Sequence, residues 1–439
     1  MPAATFHITG AIIADPASGI YAPYDLQIEN GEISGFFPAG SLRWEGVPGS
    51  REISLPGCIL SPGLTDLHVH LREPGGEENE RFETGLKAAA AGGFTTVCTM
   101  PNSGRPADHP DVIRYIKAKA AAVALAEVLP IAAVTKGLSG EEITDMTALR
   151  LAGAAAFSDD GMPLADSALM EESLYQVKAL DMALIDHCED PGLKRGGLMH
   201  LGEVSRSLGL PGISAVSEAV PVARNILLAQ KTGARVHIAH LSTKEGVSLM
   251  EYALRQNIAV SAEATPHHIR LTDDALNGYN TCAKVSPPLR SEDHRLAVAE
   301  AVKSGLISCI ATDHAPWQAA AKAMAFPQAP NGVIGLETAV AVAWDTLVIR
   351  MGMPPLDLLA RFILGPAKVL GRPPASLAPG QPANLVAIDP RLKKEVLPRE
   401  FYSLGRNSPF AGMVLQGWPV LTVYRGRVVM EHGKVAGYE

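Results

Sequence analysis

No stretch of this 439-residue chain stays apolar for long enough to cross a bilayer, so a membrane-spanning helix is not expected. The opening residues, Met1 to His7, lack a basic segment followed by an apolar one, and the expectation is a cytoplasmic protein. Basic residues are neither in excess nor clustered. With 38 Lys and Arg against 46 Asp and Glu, the formal net charge is −8, which leaves no electrostatic footprint for nucleic acid or an anionic membrane surface. Cysteine is scarce and odd in number: Cys58, Cys98, Cys188, Cys282 and Cys309 are far apart and form no Cys-x-x-Cys pair. Neither a disulfide framework nor a thiolate zinc site is therefore suggested. Most of them sit in apolar runs and read as small core residues, and Cys188, beside His187, reads as packing rather than as a nucleophile. What the chain does have is ordinary core material, 47% hydrophobic and 19% charged, enough for one large domain and a smaller one.

Two rhythms divide it. Residues 4 to 56 alternate apolar and polar positions, as in Phe6-His7-Ile8-Thr9 and Leu26-Gln27-Ile28, with punctuation at Asn30-Gly31 and Gly49. Residues 380 to 434 do the same in Asn384 to Ile388, Val420 to Tyr424 and Gly426 to Val429. Both ends read as short antiparallel strands, and together they suggest one composite β-sandwich from 1–56 and 375–439.

Between them, over 57–374, short apolar runs recur at 94–100, 128–134, 154–157, 182–185, 236–239, 258–262 and 306–311. Helical patterns separate them: Arg81 to Ala91 closed by Gly92-Gly93, Pro110 to Val123 opened by Asp108, and Glu292 to Val302 capped by Ser291 and ended by Gly305. With an opening strand that follows Gly57-Cys58-Ile59-Leu60 and a turn-like Ser61-Pro62-Gly63, this makes eight strands alternating with helices. The fold expected is an α/β (β/α)₈ TIM barrel.

In such barrels the chemistry sits where strands end. Here they end in His68 and His70, in Asp159-Asp160-Gly161, in His187-Cys188-Glu189-Asp190, in His240, and in Thr312-Asp313-His314. Neutral nitrogens from His68, His70, His187 and His240 with charged oxygens from Asp160 and Asp313 suit zinc in one or two positions. Two metals need a bridge. Many hydrolases of this barrel type use a carboxylated lysine there, but this fourth-strand run has none, so the bridge expected is an aspartate, and periodicity alone does not say which of the pair. Asp313 is expected both to bind metal and to take a proton from water that the metal activates.

Of the other candidates, Arg72 lies two residues after His70 and is expected to face the same side, as a partner for a substrate carboxylate. Asn102, after Met100-Pro101, offers a donor and an acceptor and could equally be a turn residue. His314 should point away from the metal, His237 should face opposite to His240, and His267-His268 are expected in loop structure. His7, His109, His200, His294 and His432 are taken as surface or packing.

The ordered motifs Asp66-Leu-His-Val-His-Leu-Arg-Glu-Pro-Gly75, Met100-Pro-Asn102, Phe157-Ser-Asp-Asp-Gly161, His187-Cys-Glu-Asp190, His240-Leu-Ser-Thr243, Thr265-Pro-His-His268, Pro287-Pro-Leu-Arg290 and Thr312-Asp-His-Ala-Pro316 resemble those of the bacterial type I dihydroorotases of the amidohydrolase superfamily. The resemblance implies zinc ligands at His68, His70, Asp160, His187, His240 and Asp313, with Asp160 bridging, and contacts from Arg72 and Asn102 to a substrate carboxylate. It further implies reversible ring closure of N-carbamoyl-L-aspartate to L-dihydroorotate in pyrimidine (UMP) synthesis. A homodimer and association with aspartate transcarbamoylase are the partner expectations.

The chain also departs from that pattern. Ser286 stands where an asparagine is expected, Trp317 where a histidine is common, and Asn331 where an apolar residue usually precedes Gly332. Residues 318–322 lack the usual acidic residues. These positions border the substrate in relatives, so Ser286, Trp317, Asn331 and Gly332 are candidate substrate contacts. Other cyclic amidohydrolases, namely dihydropyrimidinase, hydantoinase and allantoinase, are the nearest alternative; Asp160 and Arg72 argue against them. An inactive structural partner of aspartate transcarbamoylase is the alternative of another class, and the complete ligand set argues against it.

Overall fold

The computed structural model describes residues 5–41 and 51–436; Gly49 and residues 1–4 of the expected terminal segment lie outside the described residues. Eight parallel strands follow one another in sequence order around a barrel: Leu64–Val69, Phe94–Thr99, Glu127–Ala132, Ala156–Phe157, Ala183–Asp186, Arg235–Ile238, Val260–Ala264 and Cys309–Ile310. The ring is drawn together where Val69 bridges His314 and the His70 amide donates to the His314 carbonyl at 2.8 Å. Side chains alternate with period two. Leu67, Cys98, Ile131, Ala183, Ile185 and Cys309 fill the interior, while Phe94, Phe157, Leu184, Val236 and Ile310 pack outward under the helices.

The turns that return the chain to the barrel are sterically specified. Helix Phe82–Ala91 ends at Gly92, where a Cβ would stand 2.1 Å from the Leu336 carbonyl oxygen, and Gly93 then takes φ +87° before the second strand begins. Helix Pro110–Val123 is capped by His109, whose Nδ1 accepts from the Asp111 amide, and not by Asp108. The Asp108 carboxylate instead accepts from the Gly137 amide, which fixes the loop after the third strand.

The two termini share one ten-stranded sheet, in which Ile59–Pro62 lies between Leu385–Glu395, antiparallel to it, and Ile12–Asp15, parallel to it. Its separate core joins Phe6, Ile8, Leu26 and Leu60 to Leu385 and Val423. This corrects one expectation. The apolar run through Ile59-Leu60 does not lead into the first barrel strand; it pairs in the terminal sheet, and Ser61-Pro62 continue that pairing rather than turning. Gly63 makes the passage to the barrel, lying so close to Thr95 that a Cβ there would meet its Oγ1 at 2.1 Å. Among the described residues no helix is long and apolar enough to cross a membrane.

Candidate active site

His68 belongs to the first barrel strand and His70 follows its end, both buried. Each ring is oriented from behind. His68 Nδ1 lies 2.9 Å from Glu263 Oε1, and His70 Nδ1 lies 2.8 Å from Asn102 Oδ1, so both Nε2 atoms face the same point. There they meet Asp160: Oδ1 is 3.3 Å from His68 Nε2 and Oδ2 is 3.5 Å from His70 Nε2. His187 Nδ1 and His240 Nε2 approach Asp160 Oδ1 from the other side, at 3.6 and 3.7 Å. Asp313 Oδ1 closes the cluster at 3.1 Å from His70 Nε2 and 3.6 Å from His68 Nε2.

The aspartate pair is thereby resolved. Asp160 faces the cluster, whereas Asp159 turns outward to accept from the amides of Val134 and Thr135 at 2.7 and 3.1 Å. Three site residues sit in the left-handed region, Arg72 at φ +60°, His240 at +32° and Asp313 at +47°. Non-glycine residues adopt it at some cost, and such strain concentrates at functional sites.

The donors fit a metal. His68, His70 and Asp160 form one group and Asp160, His187 and His240 another, each with donor atoms within 4.8 Å of one another, and Asp160 is common to both. Although 3.3 Å apart, His68 Nε2 and Asp160 Oδ1 make no hydrogen bond to each other, and among the described residues neither buried atom has another hydrogen-bond partner. Leaving a buried polar atom unpaired costs about 1–3 kcal/mol, a penalty that coordination would remove. Burial disfavours a charged His68, but Asp160 and then Glu263 overcome this and raise its pKa. For Asp313 burial works upward, and the bond from His70 with the charges of His68 and His70 brings the carboxyl below its usual range.

Above the cluster opens a cavity of about 200 Å³. All the sequence-nominated contacts line it: Arg72, Asn102, Ser286, Trp317, Asn331 and Gly332. A larger hollow of about 720 Å³ beside Arg81, Lys119 and Arg427 contains no converging histidines. Arg72 does not reach the cavity by strand alternation as expected, because the strand stops at Val69; the positive φ of Arg72 aims it there. Asn102 is already engaged, accepting from His70 and donating to the Asp160 carbonyl at 2.9 Å and to Asp160 Oδ2 at 3.1 Å. His314 turns away to Glu80, 3.2 Å from its Oε2, as anticipated. His267 and His268 lie in a short helix, Pro266–Arg270, rather than in loop. His237 does not face opposite to the site: its Nε2 is 3.1 Å from Glu263 Oε2, beneath His68.

Glu263 is the main residue the sequence reading missed. It is fully buried between His68 and His237, and although burial pushes its carboxyl up, the bonds from His237 and His68 bring it down to about 2. A carboxylate in the middle of the strand run Ser261-Ala262-Glu263-Ala264 was the available signal. Lys194 was missed too. It lines the cavity, pairs with Glu189 Oε2, and donates to Ser286 Oγ at 3.3 Å; Glu189 in turn backs His187 Nε2 at 3.5 Å.

Histidines and carboxylates converging on the C-terminal rim of a parallel barrel, with a terminal sheet beside it, define a metal-binding hydrolase of the amidohydrolase type. Similarity to known proteins agrees and narrows the class. The Dihydro-orotase-like family model matches residues 57–246. The dihydroorotase of Pelotomaculum thermopropionicum is 46% identical over 424 residues, covering 97% of this chain and 98% of the relative. That of Geobacillus kaustophilus is 46% identical over 412 residues, covering 93% and 95%. In fold, the chain is similar to the L-hydantoinase (dihydropyrimidinase) of Arthrobacter aurescens, with a TM-score of 0.85 at 24% identity, covering 98% of this chain and 97% of that one. This chain belongs to the dihydroorotase family.

Proposed function

We propose that the chain acts as a dihydroorotase, interconverting N-carbamoyl-L-aspartate and L-dihydroorotate in pyrimidine synthesis, with zinc in one or two positions. The observation that carries the substrate is Arg72, a guanidinium in the same small cavity as His70, Asp160, His187, His240 and Asp313. A cation beside a metal site is unfavourable unless an anion comes between them, and a ring carboxylate is such an anion.

His68 and His70 with Asp160, and His187 and His240 with Asp160, would hold the metal, Asp160 bridging two positions and Asp313 adding an oxygen. Once bound, zinc would polarise the amide oxygen and lower the pKa of water. Arg72 anchors the substituent carboxylate and so fixes which ring amide faces the cluster. Asn102 and Glu263 hold His70 and His68 in orientation. Asp313 takes the proton from the attacking water in ring opening and delivers it to the departing ring nitrogen; in ring closure it runs in reverse. A homodimer and association with aspartate transcarbamoylase complete the reading, on family grounds alone.

The test is turnover of L-dihydroorotate, hydantoin and allantoin by the purified protein. Preference for dihydroorotate supports the reading, and preference for hydantoin or allantoin overturns it.

A further inference from the structure

Arg72 is not a free side chain in the cavity. Its guanidinium carbon lies 4.8 Å from the centroid of the Trp317 ring, and its Nε donates to the Pro316 carbonyl at 3.3 Å. The contact with the ring face and the Nε bond together restrict the guanidinium, and a bidentate contact to a carboxylate depends on its plane. Trp317 is itself held at both ends. Its main-chain amide donates to Asn407 Oδ1 at 3.2 Å, and its indole Nε1 donates to the Asn331 carbonyl at 2.7 Å.

The segment carrying Asn331 is clamped in turn by two buried lysines bonded to main-chain carbonyls. Lys284 Nζ donates to the carbonyls of Phe326 and Ala329, each at 2.7 Å, and Lys322 Nζ donates to those of Pro330 and Gly332 at 2.8 and 3.0 Å. Gly332 completes the fit at φ +126°, where a Cβ would stand 2.8 Å from that of Ala315. Each ammonium organises several carbonyls that would otherwise compete for water, so the segment over 326–332 forms a built wall of the cavity.

We propose that Trp317 is a positioning residue for substrate charge: bonded to the lysine-clamped wall through the Asn331 carbonyl, it fixes the Arg72 guanidinium in the plane that receives the ring carboxylate. Trp317 thus works through Arg72 and does not itself meet the reacting amide. The inference rests on the assignment of Arg72 to the substrate carboxylate. It predicts that the indole bond to Asn331 matters less than the aromatic face, and that a cation without a planar face cannot replace Arg72.

Steady-state kinetics with L-dihydroorotate test this on Trp317→Phe, Trp317→Leu and Arg72→Lys, each checked for its melting temperature. Loss of a stacked cation is worth about 1–2 kcal/mol, so KM should rise roughly tenfold in Trp317→Leu with kcat changed far less. Trp317→Phe, which keeps a face, should recover most of that loss. Arg72→Lys, which keeps the charge and loses the plane, should resemble Trp317→Leu, and it reads the inference even where the leucine variant does not fold. Equal KM in wild type and Arg72→Lys, equal effects of Phe and Leu at 317, or a fall in kcat at unchanged KM would overturn it. A wild-type protein inactive on dihydroorotate would instead count against the proposed function.

Discussion

His68 Nδ1 and Glu263 Oε1 stand 2.9 Å apart, both side chains fully buried, and join the first barrel strand to the seventh, which lie on either side of the eighth. This one bond sets which nitrogen of His68 is turned toward Asp160. Glu263 also holds His237, so its two oxygens tie two strands to the floor of the site.

Glu263→Gln keeps the volume but removes the charge. By the usual cost of losing such a carboxylate behind a histidine ligand, metal affinity should drop about 10–100-fold. Competition with a chelator measures it; unchanged affinity would make Glu263 a packing residue only.

Asp313, to which the proposed reaction gives the proton transfer, contacts His70 and lines the cavity. Asp313→Ala should lower kcat by at least about 10²–10⁴-fold, the usual range for a lost general acid–base, while circular dichroism and melting temperature hold. Wild-type turnover in this variant would remove the role.

Arg72→Met should raise KM for L-dihydroorotate strongly and leave hydantoin, which has no carboxylate, unaffected. Parallel kinetics with both rings measure the difference. An unchanged KM for dihydroorotate would take Arg72 out of the carboxylate site.

Glu337 gives a pH signature of stability away from the metal cluster. Burial pushes its carboxyl up to about 7, against the amides of Ser403 and Tyr402 that donate to it, and the nearby Glu80 adds to the rise. The folded state therefore keeps a proton that the unfolded chain releases near pH 4.3, and stability must fall as pH rises from there through about 7. The change is on the order of 3 kcal/mol. Glu337→Gln should flatten this slope, matching wild type near pH 5 and melting higher at pH 8; melting curves that stay parallel across this range would contradict it.

The barrel was legible because apolar runs alternated with helical patterns that glycines such as Gly92-Gly93 closed, and the site because five of the strand runs ended in residues with ligand chemistry. Periodicity served less well where the regular strand stopped. Arg72 and His240 reach the site through left-handed backbone beyond the last ladder residue, so counting positions gave the right destination for Arg72 by the wrong route and a wrong facing for His237 relative to His240. Ile59-Leu60 misled for another reason, since an apolar run does not reveal which of two sheets it pairs with. Glu263 and the two clamping lysines escaped notice because their roles arise from contacts between segments far apart in sequence.

Metal-stripped protein titrated with zinc while L-dihydroorotate opening is followed tests the central claim most directly. Turnover absent in the stripped protein and rising in proportion to bound zinc, to a plateau at one or two equivalents per chain, is the result expected. Full turnover in the stripped protein, or none at any zinc loading, would contradict it.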